Sequence, residues 1–506
     1  MIDLTVAHIA DIVGGELADI SAEDAARLHV TGTVEFDSRR VTSGGLFLAL
    51  PGARVDGHKH AAAAVAAGAV AVLAARPVGV PAIVVAPGAH LADTGAGVLE
   101  HDTDGSGAAV LAALAALAAA VAAELVAGGL TIVGITGSSG KTSTKDLLAA
   151  VLAPLGEVIA PPGSFNNELG HPWTVLRATP STDYLILELS ARHPGNIAAL
   201  AAIAPPTIGV VLNVGTAHLG EFGSREVIAR TKSELPQSVL AGGIVVLNDD
   251  DPAVAAMADV TAARVVRVSR SRETDVWAGP VALDELARPQ FTLHAGDTAV
   301  DIRLAVHGDH HVSNALCAAA VALECGATTA QIAEALAGAG PVSGHRMRVS
   351  TRADGVTVID DAYNANPDSM RAGLQALAWI SASDAGGAPA GRRRSWAVLG
   401  EMGELGDDAI SEHDRIGRLA VRLDVSRLIV VGTGRSMSAM HQGAVMEGAR
   451  GTENPEAALV ADADAALAVL RAELRPGDVV LVKASNAAGL GALADALTTD
   501  GQGDTR

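Results

Sequence analysis

Unbroken apolar runs of five or six residues recur along most of the chain and alternate with helix-period segments. Residues 1 to about 100 carry two strand-like runs, Gly45–Leu50 and Ala82–Ala86, with an Ala-rich helix from His60 to Ala67 between them. This predicts a small α/β unit. A polar stretch, Glu100–Ser106, is followed by a helix and then by strands at Thr131–Ile135, Tyr184–Leu189, Thr207–Leu212 and Gly243–Leu247. Continuous apolar strands between helices suit a parallel sheet covered on both faces. After Pro341 the alternation resumes at Gly355–Ile359, Ser395–Leu399, Arg427–Val431 and Asp478–Val482, predicting a third, Rossmann-like unit. The expected architecture is therefore α/β in three domains, 1–105, 106–340 and 341–506.

Length agrees, since 506 residues exceed what one hydrophobic core supports. Acidic residues outnumber basic ones 57 to 36, so the chain lacks the basic face that nucleic acid requires, and anionic ligands must be met by local donors. Cys317 and Cys325 have no paired spacing for zinc or redox chemistry and read as small buried hydrophobes. No basic flank and apolar run mark the start as a secretory signal, so a cytoplasmic protein is expected; a monomer is the expected state. The uncharged stretch Gly107–Ala123 is mostly Ala and shorter than the roughly 20 strongly apolar residues of a membrane span; its Leu111, Leu114, Leu117 and Val121 form one helical stripe. Ser381–Arg394 reads as a solvated loop, and disorder is expected only from Thr498 to Arg506.

The sharpest chemical signal is Thr136-Gly-Ser-Ser-Gly-Lys-Thr-Ser143, between an apolar strand and a helix. Backbone N–H groups of Gly137, Ser138, Ser139 and Gly140 can curl round phosphate oxygens at the positive end of the helix. Lys141 reaches the terminal phosphates of a nucleotide, and Thr142 and Ser143 supply hydroxyls, Thr142 toward Mg²⁺. The alternative is a glycine-rich turn with a surface lysine. Ile135 stands where the strict G-x-x-x-x-G-K-[ST] pattern has its first glycine.

Other polar residues lie where the ligands of a parallel sheet collect. Glu188 ends the run Tyr184–Leu189 and suits magnesium, or is an exposed strand-end carboxylate. His218, in Leu212-Asn-Val-Gly-Thr-Ala-His218, is either a ligand or a solvated loop residue. Lys232, in Ala229-Arg-Thr-Lys-Ser-Glu-Leu235, reads by pattern alone as an exposed helix lysine.

The shortened phosphate loop resembles that of the Mur ligase superfamily, TG-x-x-GK-[TS] in the central domain of a three-domain chain. Ile359-Asp-Asp-Ala-Tyr-Asn-Ala-Asn-Pro-Asp-Ser-Met370 resembles the DD-x-YNANP-x-SM segment of its D-alanyl-D-alanine-adding branch. The resemblance implies that Asp361, Tyr363 and Asn364 meet the ribose and adenine of ATP. It also implies that Lys232 is carbamylated by CO₂ and joins Thr142, Glu188 and His218 in holding a pair of Mg²⁺ ions; a desolvated neutral amine can add CO₂, and the carbamate offers an anionic oxygen. Ser38 and Arg39, in Phe36-Asp-Ser-Arg39, become contacts for a uridine diphosphate, and Asn166 and Asn167, in Phe165-Asn-Asn-Glu-Leu-Gly170, contacts for the peptide-bearing substrate.

The chain departs from the family at three places. His310-His-Val-Ser-Asn-Ala-Leu316 keeps Asn314 but has His311 where the family has Asn; as neighbours on a helix, His310 and His311 should point about 100° apart and not chelate together. Gly344-His-Arg-Met347 matches a phosphate-contacting arginine, Arg346, only with a one-residue shift. Leu481-Val-Lys-Ala-Ser-Asn486 has Asn486 in place of Arg, leaving Lys483 and Ser485 as substrate contacts. The implied activity is ATP-dependent joining of D-alanyl-D-alanine to UDP-N-acetylmuramoyl-tripeptide through an acyl phosphate, with Lys141, Glu188, His218 and Lys232 around the transferring phosphoryl group. The alternatives are a Mur-type ligase for a different amino acid and a regulatory P-loop ATPase.

Overall fold

A computed structural model describes residues 1–52, 55–87, 99, 102–215, 219–383, 392–449 and 456–499. His218, most of the Ser381–Arg394 loop and the last seven residues of the tail lie outside them.

Three main sheets stand in chain order. The first has five strands, including Gly45–Leu48 and Ala82–Val84, with the alanine helix Ala61–Ala67 preceded by a 3₁₀ turn, Gly57–His60. The second has ten strands. Thr131–Thr136 lies between Tyr184–Glu188 on one side and Ile208–Val211 on the other, all parallel, and Ile244–Asn248 and Arg264–Ser269 extend the parallel part. The chain order thus reverses at Thr131–Thr136, the position at which open α/β sheets bind ligands beyond the carboxyl ends of their strands.

The all-parallel expectation for this sheet is corrected at its far end. Val276–Ala278 pairs antiparallel with Pro289–Ala295, which pairs antiparallel with Thr298–Arg303. Pro289–Ala295 alternates buried and half-buried residues, the signature of a sheet with one covered face.

The third sheet runs Arg348–Thr351, Thr357–Asp361, Val479–Lys483, Ser395–Leu399, Arg427–Val431 and Glu456–Val460, parallel except for its first strand.

Helix Ser106–Ala127 is longer than the sequence pattern suggested and, at 22 residues, long and apolar enough to cross a membrane. Its predicted stripe, Leu111, Leu114, Leu117 and Val121, is instead buried in a core that runs from the first sheet into one face of the second, beneath helices Val6–Val13, Gly170–Val175 and Asn196–Ile203. Two arginines at the end of the Ser381–Arg394 stretch are held against the third sheet: Arg393 donates to Gly477 O and Thr357 Oγ1, and Arg394 pairs with the buried Asp478 at 2.6 Å. Cys317 is buried, as expected, but Cys325 is only partly so, because it caps its helix.

Candidate active site between the central and C-terminal domains

Strand Thr131–Thr136 delivers the phosphate loop to the switch point, and the neighbouring strand exit braces it. Ser138 N–H donates to Asn213 O, Ser139 N–H to Asn213 Oδ1 at 3.0 Å, and Gly215 N–H to Ser138 Oγ at 2.9 Å. Gly140 takes φ +83°, and a Cβ there would stand 2.8 Å from Asn314 Oδ1, so both backbone shape and the nearby helix demand glycine. Lys141 opens helix Lys141–Leu152 and folds back to donate to Gly137 O at 2.6 Å. Burial lowers its ammonium below the ordinary lysine value, against the raising charge of Glu188.

Glu188 ends the adjacent strand at 1% exposure. Its Oε2 accepts from Thr142 Oγ1 at 3.2 Å and Ser164 Oγ at 3.4 Å, while its Oε1 is buried without a hydrogen-bond partner. Burial raises this carboxyl above its usual range, against the lowering charges of Lys145, Lys141 and Arg346. An orphaned anionic oxygen beside a threonine hydroxyl, at the mouth of a phosphate loop, fits a hard divalent cation. Lys232, expected by pattern on the surface, is 6% exposed; burial and then the charge of Lys141 push it well below the ordinary lysine value.

The third domain closes the site from above. Arg346 Cζ lies 4.3 Å from the Tyr363 ring centroid, and its Nη2 reaches toward Thr142 Oγ1 at 3.5 Å. Asp361 accepts from Met347 N–H and pairs with Lys483 at 2.5 Å, the two being register partners on adjacent parallel strands. Arg192 of the central domain meets Glu404 of the third at 3.2 Å. Together these walls enclose a cavity of about 830 Å³ lined by Ser138 to Ser143, Asn166, Asn167, Asn314, Arg346, Asp361, Tyr363, Asn364 and Lys483.

Three family models match the chain: "Mur ligase family, catalytic domain" at residues 31–121, "Mur ligase middle domain" at 135–322 and "Mur ligase, glutamate ligase domain" at 345–486. The UDP-N-acetylmuramoyl-tripeptide–D-alanyl-D-alanine ligase of Mycobacterium tuberculosis is 77% identical over 99% of this chain and 98% of its own length, and that of Escherichia coli K12 33% identical over 85% and 86%. The chain belongs to the Mur ligase family, in its MurF branch. Among solved structures, MurF from Acinetobacter baumannii superposes with a TM-score of 0.79 at 28% identity, covering 98% of this chain and 99% of that one. MurF from Thermotoga maritima in complex with ADP does so at 0.72 and 26%, covering 94% and 98%.

Within this Mur ligase chain, the phosphate-loop residues, Glu188, Asn166, Asn167, Asn314, Arg346, Asp361, Tyr363 and Asn364 converge. Arg346, weakly matched in sequence, sits well inside the cleft. Lys483 reaches the cleft, but at 1% side-chain exposure its ammonium is spent on Asp361 and Asn364 O. Ser38, Arg39 and Ser485 do not line this cavity. Arg39 is exposed and paired with Asp37, whose carboxyl it holds down to about 2. Ser485 N–H donates to Glu401 O.

The expectation that His310 and His311 splay apart is corrected. His310 caps its helix from outside, and the two rings meet at 4.2 Å. Burial drives both toward the neutral form. Sequence reasoning missed Asn213, Ser164 and Lys145. Asn213 stands two residues beyond Ile208–Val211, the strand on the other side of Thr131–Thr136 from Glu188, and Lys145 stands one helical turn after Lys141, which were the available signals.

Proposed function

We propose that the chain ligates D-alanyl-D-alanine to UDP-N-acetylmuramoyl-tripeptide at the expense of ATP, in the cytoplasm, giving ADP, phosphate and the pentapeptide nucleotide. The observation that carries this reading is the meeting of Arg346, Tyr363 and Asp361 from the third domain with Lys141, Thr142 and Glu188 from the second, over a floor that includes Asn166 and Asn167. The mycobacterial and E. coli relatives bear the name of this ligase, and the Thermotoga MurF holds ADP, which supports the nucleotide part of the reading.

A carboxylate does not form an amide at neutral pH without activation. The tripeptide's terminal carboxylate oxygen attacks the γ-phosphorus of ATP, the bond to the β-γ bridging oxygen breaks, and ADP leaves. The dipeptide amine then attacks the acyl carbon, loses its proton, and expels phosphate. Both partners of the first step are anions, so Lys141, Arg346 and the loop N–H groups lower the barrier by meeting charge on the phosphoryl oxygens. Thr142 and Glu188 would hold one Mg²⁺, and carbamylated Lys232 with His218 a second; the cations supply further neutralisation of the phosphates. The closed third domain keeps water from the acyl phosphate.

Purified enzyme given Mg-ATP and UDP-N-acetylmuramoyl-tripeptide should release phosphate on addition of D-alanyl-D-alanine and not of single amino acids. Turnover indifferent to the muramyl peptide would mark a regulatory ATPase instead.

A further inference from the structure

Lys145 is a lysine on a helix face that burial would ordinarily give to Leu or Met. Its side chain is 3% exposed, and its ammonium has four oxygen neighbours: Asp146 Oδ1 at 2.8 Å, Pro161 O at 2.9 Å, Ser343 Oγ at 3.2 Å and Gly163 O at 3.3 Å. Asp146 completes the knot by accepting from Ser343 N–H at 3.2 Å. A buried ion pair costs desolvation that an apolar side chain would avoid, so its retention needs a reason other than packing.

The partners supply one. Helix Lys141–Leu152 begins at the phosphate loop. Pro161 and Gly163 lead directly into Ser164, which bonds to Glu188, Thr142 and Asn166, and then into Asn166 and Asn167 on the cleft floor. Ser343 lies three residues before Arg346, the third domain's cation above Thr142. One ammonium therefore joins the helix that follows the phosphate loop, the segment that leads to the cleft floor and the start of the third domain.

We propose that Lys145, with Asp146, is a positioning residue that locks these three segments in register, so that nucleotide, peptide carboxylate and Arg346 are aligned together. The inference rests on the ligase reading for its kinetic arm only; nucleotide binding tests it separately.

The test is a kinetic and binding comparison of full-length wild type, Lys145→Met, Ser343→Ala and the double variant. Lys145→Met should lower kcat/KM for ATP and for the muramyl tripeptide together, by about 10- to 100-fold, as misaligned reactants do. It should also weaken ADP binding measured by calorimetry without either substrate. Ser343→Ala, which keeps the buried charge paired with Asp146, should fold and should lower kcat and kcat/KM for ATP while leaving the tripeptide KM within about twofold. The double variant should lose less than the product of the two single losses, because both cut one knot. Wild-type inactivity toward muramyl tripeptide would sink the ligase reading and leave the ADP arm standing. Native-like melting of Lys145→Met with unchanged ADP affinity, or full multiplicativity of the two losses, would overturn the proposal; if Lys145→Met fails to fold, a Ser343→Ala enzyme with parental constants does so alone.

Discussion

Replacing Glu188 with Gln should make the ligand-free protein more stable and the enzyme nearly inert. Glu188 is 1% exposed, and burial raises its carboxyl despite three neighbouring cations, so the folded protein binds this proton more tightly than the unfolded chain does. Above the folded-state value the ionised side chain therefore subtracts from stability, and the penalty disappears as pH falls toward the unfolded value near about 4.3. Gln keeps the shape and drops the charge. Its amide leaves an unpartnered atom where Oε1 already has none, at smaller cost than a buried anion. The variant should thus melt above wild type at pH 7, with the gap closing toward acid.

With Mg-ATP the sign reverses. Unit charges about 4 Å apart interact by about 4 kcal/mol at an effective dielectric near 20. Losing one oriented charge-stabilising group costs about 2.7–4 kcal/mol, or about 10²–10³ in kcat. Scanning fluorimetry across pH and a coupled phosphate-release assay measure the two halves. Turnover within about tenfold of wild type would remove Glu188 from the metal site, and a lower melting point at neutral pH would refute the buried-charge argument.

Lys232→Ala should cut kcat by at least about 10²; ¹³C NMR in labelled bicarbonate should show a carbamate carbonyl in wild type that the variant lacks, and undiminished ligation would exclude the lysine as an essential ligand. Lys483→Met strands the buried Asp361 carboxylate, so unfolding in urea should show a loss of about 3–5 kcal/mol, largely recovered by adding Asp361→Asn; equal stability of the single variant would contradict the ion pair's role. Gly417→Ala drives a Cβ to 1.9 Å from Met440 O where helices Ala409–Arg422 and Arg435–Gly448 cross, and the third domain should lose about 1–3 kcal/mol or more, read from its melting transition; an unchanged melt would refute that close approach.

Local pattern by itself determined a good deal of this protein. Strands such as Ser395–Leu399 and Arg427–Val431 were legible to the residue because a strand buried on both faces carries an unbroken apolar run, here four residues after a polar first one. The phosphate loop was legible because strand, glycines, lysine and helix are contiguous, and the segment around Asp361 because its resemblance spans one unbroken stretch. Tertiary structure alone decided what depends on distant neighbours. Helix Ser106–Ala127 has the length and hydropathy of a membrane span, and only its packing shows that its stripe faces the core. Lys232 read by pattern as a surface lysine; its burial, like that of Lys145 and Lys483, follows from how sheets and loops far apart in the chain close over it. Arg346, out of step with the family by one residue, earns its place through the Tyr363 ring of its own domain and the Thr142 hydroxyl, a partner that only the closure of one domain on another brings within reach.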